Sequence, residues 1–258
     1  MPRLTSSALT DFLQHHFEKY NNPDFIETDP ISIPHAYQHK EDREIAGFIT
    51  ALLAWGQRPV ILRNAQRFLD LMDRDPHSFI LAHTPTDRKR FSGFVHRTFN
   101  GEDAIYLLKA LQQVYRHHGG LEGLLQKHIT TPAEFGQSIS GFRNDLLSFK
   151  APVRFNKHLA DPLRNSSAKR LCMYFRWMIR KDKAGVDFGI WKSISPSVLH
   201  CPLDLHSGRV ARHLGLLSRT QDDWKAVTEL TTALRKFDKN DPSKYDFALY
   251  GAGIANVL

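Results

Sequence analysis

Apolar residues recur at helical spacing through almost the whole chain, and that periodicity restricts the fold more than any other feature. Leu9, Phe12, Leu13 and Phe17 follow Thr5, Ser6 and Ser7, any of which can cap a helix. A second run begins at Glu41 and carries Ile45, Phe48, Ile49, Leu52 and Leu53. It should stop near Gly56, because Pro59 suits the first turn of the next helix, which carries Val60, Ile61, Ala65, Phe68, Leu69 and Met72. Further helices are expected over 102–115, 121–128 and 132–149, with His117 and His118 closing one of them ahead of Gly119-Gly120. Others should start near Ser166 or Ser167, near Asp204, near Asp222 and at about Pro242. The stretch from Asn21 to Ile33 carries Pro23 and Pro30 and reads as a connection. Strand-like alternation is scarce, and no Asn-Gly type of turn joins two apolar runs. The expected class is all-α.

With 258 residues the chain is long enough to bury a core without covalent staples. Its two cysteines, Cys172 and Cys201, are too few for a disulfide framework, a four-cysteine zinc site or an iron–sulfur cluster. They suit a reducing compartment. The longest apolar run, Ile45 to Trp55, is interrupted by Gly47 and Thr50 and is too short for a bilayer, and nothing after Met1 resembles a secretory leader. The expected location is therefore cytoplasmic. His35 and His39 lie four apart without an evident third ligand, so no metal and no cofactor is expected.

Thirty-five Lys and Arg against 27 Asp and Glu leave a net charge of +8. Between Gly141 and Lys183 eleven bases face three acids, an excess equal to that of the entire chain. Concentrated positive charge points to a polyanion, because neighbouring phosphates release their counterions together. Phe149, Phe155, Tyr174, Phe175 and Trp177 lie among these charges; their helical spacing reads as core, with base stacking as the other use. Arg88-Lys89-Arg90 reads as a solvated face, and Trp191 and Trp224 as core.

The most informative segment is Cys201-Pro202-Leu203-Asp204-Leu205-His206-Ser207-Gly208-Arg209-Val210-Ala211-Arg212-His213-Leu214-Gly215-Leu216. Asp204 follows Pro202 at a helix start, with Val210 and Leu214 turned inward and Arg209 and Arg212 outward. A carboxylate there is stabilised as the anion by unsatisfied backbone N–H groups and the helix dipole. By this reading Asp204 is an N-cap, and a reactive carboxylate is the other possibility. His206, two residues on, diverges from Asp204 around a helix and is expected to cap or to touch a phosphate.

Leu203-Asp204-Leu205-His206, with Arg209, Arg212, Leu214 and Gly215 in step, resembles the catalytic segment of the helix-hairpin-helix DNA glycosylases. That superfamily includes endonuclease III, the adenine glycosylases and the 8-oxoguanine glycosylases. Leu52-Leu53-Ala54-Trp55-Gly56-Gln57-Arg58 resembles its early apolar helix with a DNA-facing turn, and Tyr245 to Gly253 its closing helix. The chain also resembles a bacterial family marked by a Lys-Arg-Leu…Arg-Trp-Met…Arg-Lys-Asp segment and a Pro-Leu-Asp-x-His block. Where the superfamily hairpin places a Gly-x-Gly, this chain has Asp161-Pro162-Leu163-Arg164-Asn165-Ser166-Ser167-Ala168-Lys169-Arg170, a degenerate hairpin at best. The spacing from Lys169 to Asp204 is closest to the layout of archaeal 8-oxoguanine glycosylases.

The resemblance implies a two-lobed helical fold with a central cleft, residues 1–40 and 185–258 forming a terminal lobe and 41–184 a central one. It implies a DNA-repair glycosylase acting on duplex DNA with a damaged base or abasic site, oxidised purine favoured, as a monomer. Asp204 takes the place of the catalytic carboxylate. Lys169 is the candidate nucleophile for a lyase step or, alternatively, a phosphate contact, in which case Asp204 would activate water. Attack requires a neutral amine, and burial, Arg170 and a helix N-terminus would all disfavour the ammonium. Candidate DNA contacts are Gln57, Arg58, Arg164, Asn165, Ser166, Ser167, Arg170, His206 and Arg209. A non-catalytic DNA-binding module on the same scaffold is the competing expectation.

Overall fold

The computed structural model describes residues 5–255 and 257. The fold is all-α; among the described residues the only sheet is a two-stranded antiparallel hairpin, Val95–His96 against Phe99–Asn100. Its turn passes through Arg97 at φ +55°, without the Asn-Gly pair that usually advertises such a turn. The chain divides into two compact units, one comprising Met1–Glu27, Thr130–Gln137 and Asp161–Leu258, the other Thr28–Ile129 and Ser138–Ala160. Residues 161–184, expected with the central lobe, therefore group with the C-terminal elements.

In the first unit, helix Ser6–Tyr20 starts where the Thr5 hydroxyl accepts from the Ala8 N–H at 3.2 Å. It packs with helices Leu205–His213, Trp224–Leu234 and Asp246–Ile254 around Leu13, Leu203, Val210, Leu214, Val227, Leu230, Leu249 and Ala252. Each of the leucines and valines contributes roughly 1.5–3 kcal/mol by leaving water. The helix Asp246–Ile254 is buried at nearly every position. Gly251 allows a close approach in it: a Cβ there would lie 2.2 Å from the Tyr20 ring. Trp224–Leu234 begins two residues after Asp222, near which its start was expected, with Asp223 as its cap.

The second unit is built around helix Lys40–Leu53, which is buried continuously from Glu44 to Leu53. Helices Arg58–Asp70, Pro76–Ala82, Gly101–His117 and Gly120–Gln126 belong to this unit, together with most of Phe135–Ser148. Asn100 and Asp103 form a reciprocal cap at the start of Gly101–His117. Phe68, Phe91, Phe94 and Phe99 make an aromatic cluster beneath the hairpin. Asn21 to Ile33 is not the plain connection expected: Asp24–Thr28 is a short helix, and another begins at Ser32.

The basic stretch is much less of a surface than its composition implies. Arg143 is buried and donates to the Leu159 carbonyl at 2.8 Å, and Arg154 is bound to Asp103 at 2.6 Å. Arg176 and Arg180 are 3% and 1% exposed. They pair with Asp187, Asp241 and Asp246, acids that lie beyond Lys183 in sequence. Folding thus neutralises internally much of what reads as excess charge along the chain. Tyr174, Phe175 and Trp177 are core, not stacking platforms.

Candidate functional site

Lys169 and Asp204 meet. The Lys169 Nζ lies 2.6 Å from Asp204 Oδ2, across 35 residues of sequence and within the first unit. Each residue sits at the start of a helix: Lys169 opens Lys169–Ile179, and Asp204 caps Leu205–His213. The two oxygens of Asp204 divide the work. Oδ1 accepts from the backbone N–H groups of His206 and Ser207, each at 2.9 Å, while the Ser207 hydroxyl accepts from the Asp204 N–H at 2.9 Å. Oδ2 is left for Lys169. Asp204 is therefore the expected N-cap, and its second oxygen is in addition the partner of a lysine.

Burial pushes the Asp204 carboxyl up, but the Lys169 ammonium beside it and the hydrogen bonds from Lys169 and Ser207 outweigh burial and hold it below its ordinary range. A neighbouring carboxyl behaves in the opposite way. Asp246 is deeply buried, and desolvation pushes it up to about 7 despite its bond to the Arg176 guanidinium, with the charge of Asp204 adding to the rise. One carboxyl is thus shifted down and the other up. This separation is typical of sites that handle protons.

The surroundings of Lys169 differ from expectation in one respect. Its side chain is 38% exposed, so the burial expected to disfavour the ammonium is not provided. The amine also lies 5.9 Å from the centre of the Tyr250 ring, and the same ring meets His206 edge-on at 6.2 Å. His206 accordingly uses its backbone N–H on Asp204 and its imidazole on an aromatic neighbour. Arg170 has its guanidinium pushed down to about 10 by desolvation.

The segment ahead of Lys169 replaces the hairpin glycines with left-handed non-glycine residues, Asn165 at φ +62° and Ala168 at φ +47°. The side chain of Asn165 gives it tolerance for that region and is used here, donating to Asp223 Oδ2 at 2.9 Å. Ser166 bridges to Asp223 in the backbone and its hydroxyl accepts from the Ala168 N–H at 3.3 Å. Ala168 has no such compensation from its own side chain. These turns delay the helix to Lys169, past the Ser166 or Ser167 start read from sequence, because a left-handed residue cannot continue a right-handed helix. Arg164 is exposed and Ser167 half-buried on the same connection.

Arg209 is exposed but tethered, donating to the Gly253 carbonyl at 2.7 Å; Arg212 donates to the Arg219 carbonyl at 2.8 Å and to Asp222. Gln57 and Arg58 stand at the start of Arg58–Asp70, in the second unit. The sequence reading missed Ser207 and Tyr250 as parts of the site. Ser207 had a legible signal, a hydroxyl three residues after a capping Asp. Tyr250 had none, because its approach to Lys169 depends on how two distant helices pack.

The family described as "Protein of unknown function (DUF2400)" matches residues 29–255. The chain belongs to that family. The match includes Lys169, the Asp204 block and Tyr250, and excludes helix Ser6–Tyr20. No curated protein and no solved structure matches the chain. Among the described residues no helix is long and apolar enough to cross a membrane.

Proposed function

We propose that this member of the family is a DNA-repair glycosylase that turns a damaged base out of duplex DNA and excises it, with a lyase step through Lys169. The observation that carries the reading is the 2.6 Å pairing of an amine with a carboxylate whose other oxygen is fixed by a helix start. In this mechanism the bond from C1′ to the base breaks and the base leaves with its electron pair. The Asp204 carboxylate stabilises the positive charge that develops on the sugar. Lys169 passes a proton to Asp204 Oδ2 and its Nζ forms a new bond to C1′. Opening of the sugar ring then yields a Schiff base, and loss of the C2′ proton breaks the C3′–O bond.

Oxidised purines such as 8-oxoguanine are the favoured lesion, by analogy with the archaeal enzymes. The partner is duplex DNA carrying such a base or an abasic site, bound by a monomer in the cytoplasm at the nucleoid. Gln57 and Arg58 would fill the space the base vacates. Arg164, Asn165, Ser166, Ser167 and Arg170, together with His206 and Arg209, would hold the backbone. Borohydride trapping on an abasic or 8-oxoguanine duplex, with Lys169→Gln and Asp204→Asn as controls, tests the proposal. A panel of lesions giving neither cleavage nor trapping sinks it.

A second reading has its own observation. The ion pair satisfies Lys169 and Asp204 with each other, as a purely structural contact would. A non-catalytic DNA-binding module follows from that, and it requires duplex binding that is indifferent to Asp204→Asn.

A further inference from the structure

The second unit carries a concentration of positive charge outside the basic stretch. Helix Arg58–Asp70 bears Arg58, Arg63 and Arg67 before its first acid, Asp70, and that carboxylate is taken by Arg74 at 2.7 Å. Arg63 and Arg67 are four residues apart and leave the same face of the helix, their Cβ atoms about 5–6 Å apart. The hairpin is docked beside this face. Asn64 donates to His96 Nδ1 at 2.9 Å, and His96 Nε2 then serves as donor to the Trp55 carbonyl at 3.2 Å. The Arg67 guanidinium lies 5.8 Å from the centre of the Phe94 ring. At the hairpin turn Arg97 lays its guanidinium 4.8 Å from the centre of the Trp55 ring and against Gly56.

Arg63, Arg67 and Arg97 are all exposed, and among the described residues none lies within ion-pair distance of an acid. Other arginines of this unit are neutralised: Arg74 by Asp70, Arg90 by Asp73 and Arg154 by Asp103. An aromatic ring beneath a guanidinium restrains it while leaving its N–H donors free to face a ligand. Arg67 and Arg97 are restrained in this way, Arg63 stands one helical turn from Arg67, and guanidinium groups so presented suit bidentate contacts to phosphodiester oxygens.

We propose that Arg63, Arg67 and Arg97 form a ridge that binds the phosphate backbone of duplex DNA. The choice of DNA as the polyanion rests on the glycosylase reading; the ridge itself does not depend on Lys169 or Asp204. Anisotropy titrations of a short undamaged duplex, at several salt concentrations, compare three proteins. They are the wild type, the Arg63→Gln/Arg67→Gln/Arg97→Gln variant and a Lys225→Gln/Lys236→Gln/Lys239→Gln control that removes equal charge from exposed lysines outside the basic stretch.

The arginine variant should bind roughly tenfold more weakly, and the slope of log affinity against log salt should fall by about 2 to 3. The lysine control should stay within about twofold of the wild type. If Arg97→Gln loosens the hairpin, seen as a lowered melting temperature, the Arg63→Gln/Arg67→Gln variant decides the matter with a slope change of about 2. An arginine variant with wild-type slope and affinity, a lysine control that loses as much, or a wild type that does not bind the duplex overturns the inference. A wild type that binds through the ridge yet cleaves no lesion overturns only the glycosylase reading.

Discussion

Replacing Asp204 separates its two tasks, because Asn and Ala remove different parts of them. Asn keeps an oxygen that can accept from the His206 and Ser207 N–H groups, and Asn is as good a cap as Asp. It loses only the charge facing Lys169. That lysine is 38% exposed, so the pair is screened and is worth about 0.2–1 kcal/mol. Ala loses the cap as well, at a further cost of about 1 kcal/mol. In a chain of this size each kcal/mol moves the melting temperature by roughly 2–4 °C. Asp204→Asn should therefore lower it by at most about 4 °C, and Asp204→Ala by about 2–8 °C, the larger drop in each preparation belonging to Ala. Thermal unfolding followed by circular dichroism measures both. Trapping on an abasic duplex, run on the same preparations, should be lost in both variants although Asp204→Asn remains folded. Equal destabilisation by Asn and Ala would refute the division of the carboxylate between cap and lysine. Trapping retained by Asp204→Asn would refute the catalytic role. As an internal check, adding Lys169→Gln to Asp204→Asn should cost no further stability, since the pair is already gone.

His200 lies stacked between Phe135 and Trp224, and burial pushes its imidazole down to about 4, with Arg235 adding to the effect. The unfolded chain takes up this proton first, so stability is full above about pH 6.5 and falls as pH drops towards 4, by up to about 3 kcal/mol. His200→Phe should flatten that part of the pH profile in denaturant titrations, and an unchanged profile would contradict it. Gly251→Ala drives a methyl group into the Tyr20 ring and should cost about 1–3 kcal/mol, part of it recovered by Tyr20→Ala; a neutral substitution would mean the two helices can separate freely. Arg180→Leu leaves Asp187 buried without one of its arginine partners and should destabilise by about 3–5 kcal/mol, with Asp187→Leu in the same chain restoring part of the loss. Urea unfolding of the two variants checks this, and additive losses would exclude the pairing as the cause.

Helix existence was readable because each apolar stripe follows local spacing, and caps such as Thr5 and Asp204 act on N–H groups two or three residues away. The starts that went astray, at Lys169 and Trp224, depend on Asn165 and Ser166 engaging Asp223 across the connection and helix that join them. The hairpin at Arg97 was illegible for a similar reason: Trp55, Asn64 and Phe94, not a glycine, accompany its left-handed turn. Asp204 was legible as a helix cap, while Tyr250 and the buried Arg176–Asp246 pair were not.

Sequence alone determined that this chain is helical, where its main helices lie, and that Asp204 begins one of them. Those properties come from short-range periodicity and capping. Tertiary structure decided which charges remain available. The basic stretch loses Arg143, Arg176 and Arg180 to the interior, whereas Arg63, Arg67 and Arg97, scattered and unremarkable in sequence, stand exposed together. Charge counted along a chain ignores the acids that folding brings from elsewhere, and only packing brings them.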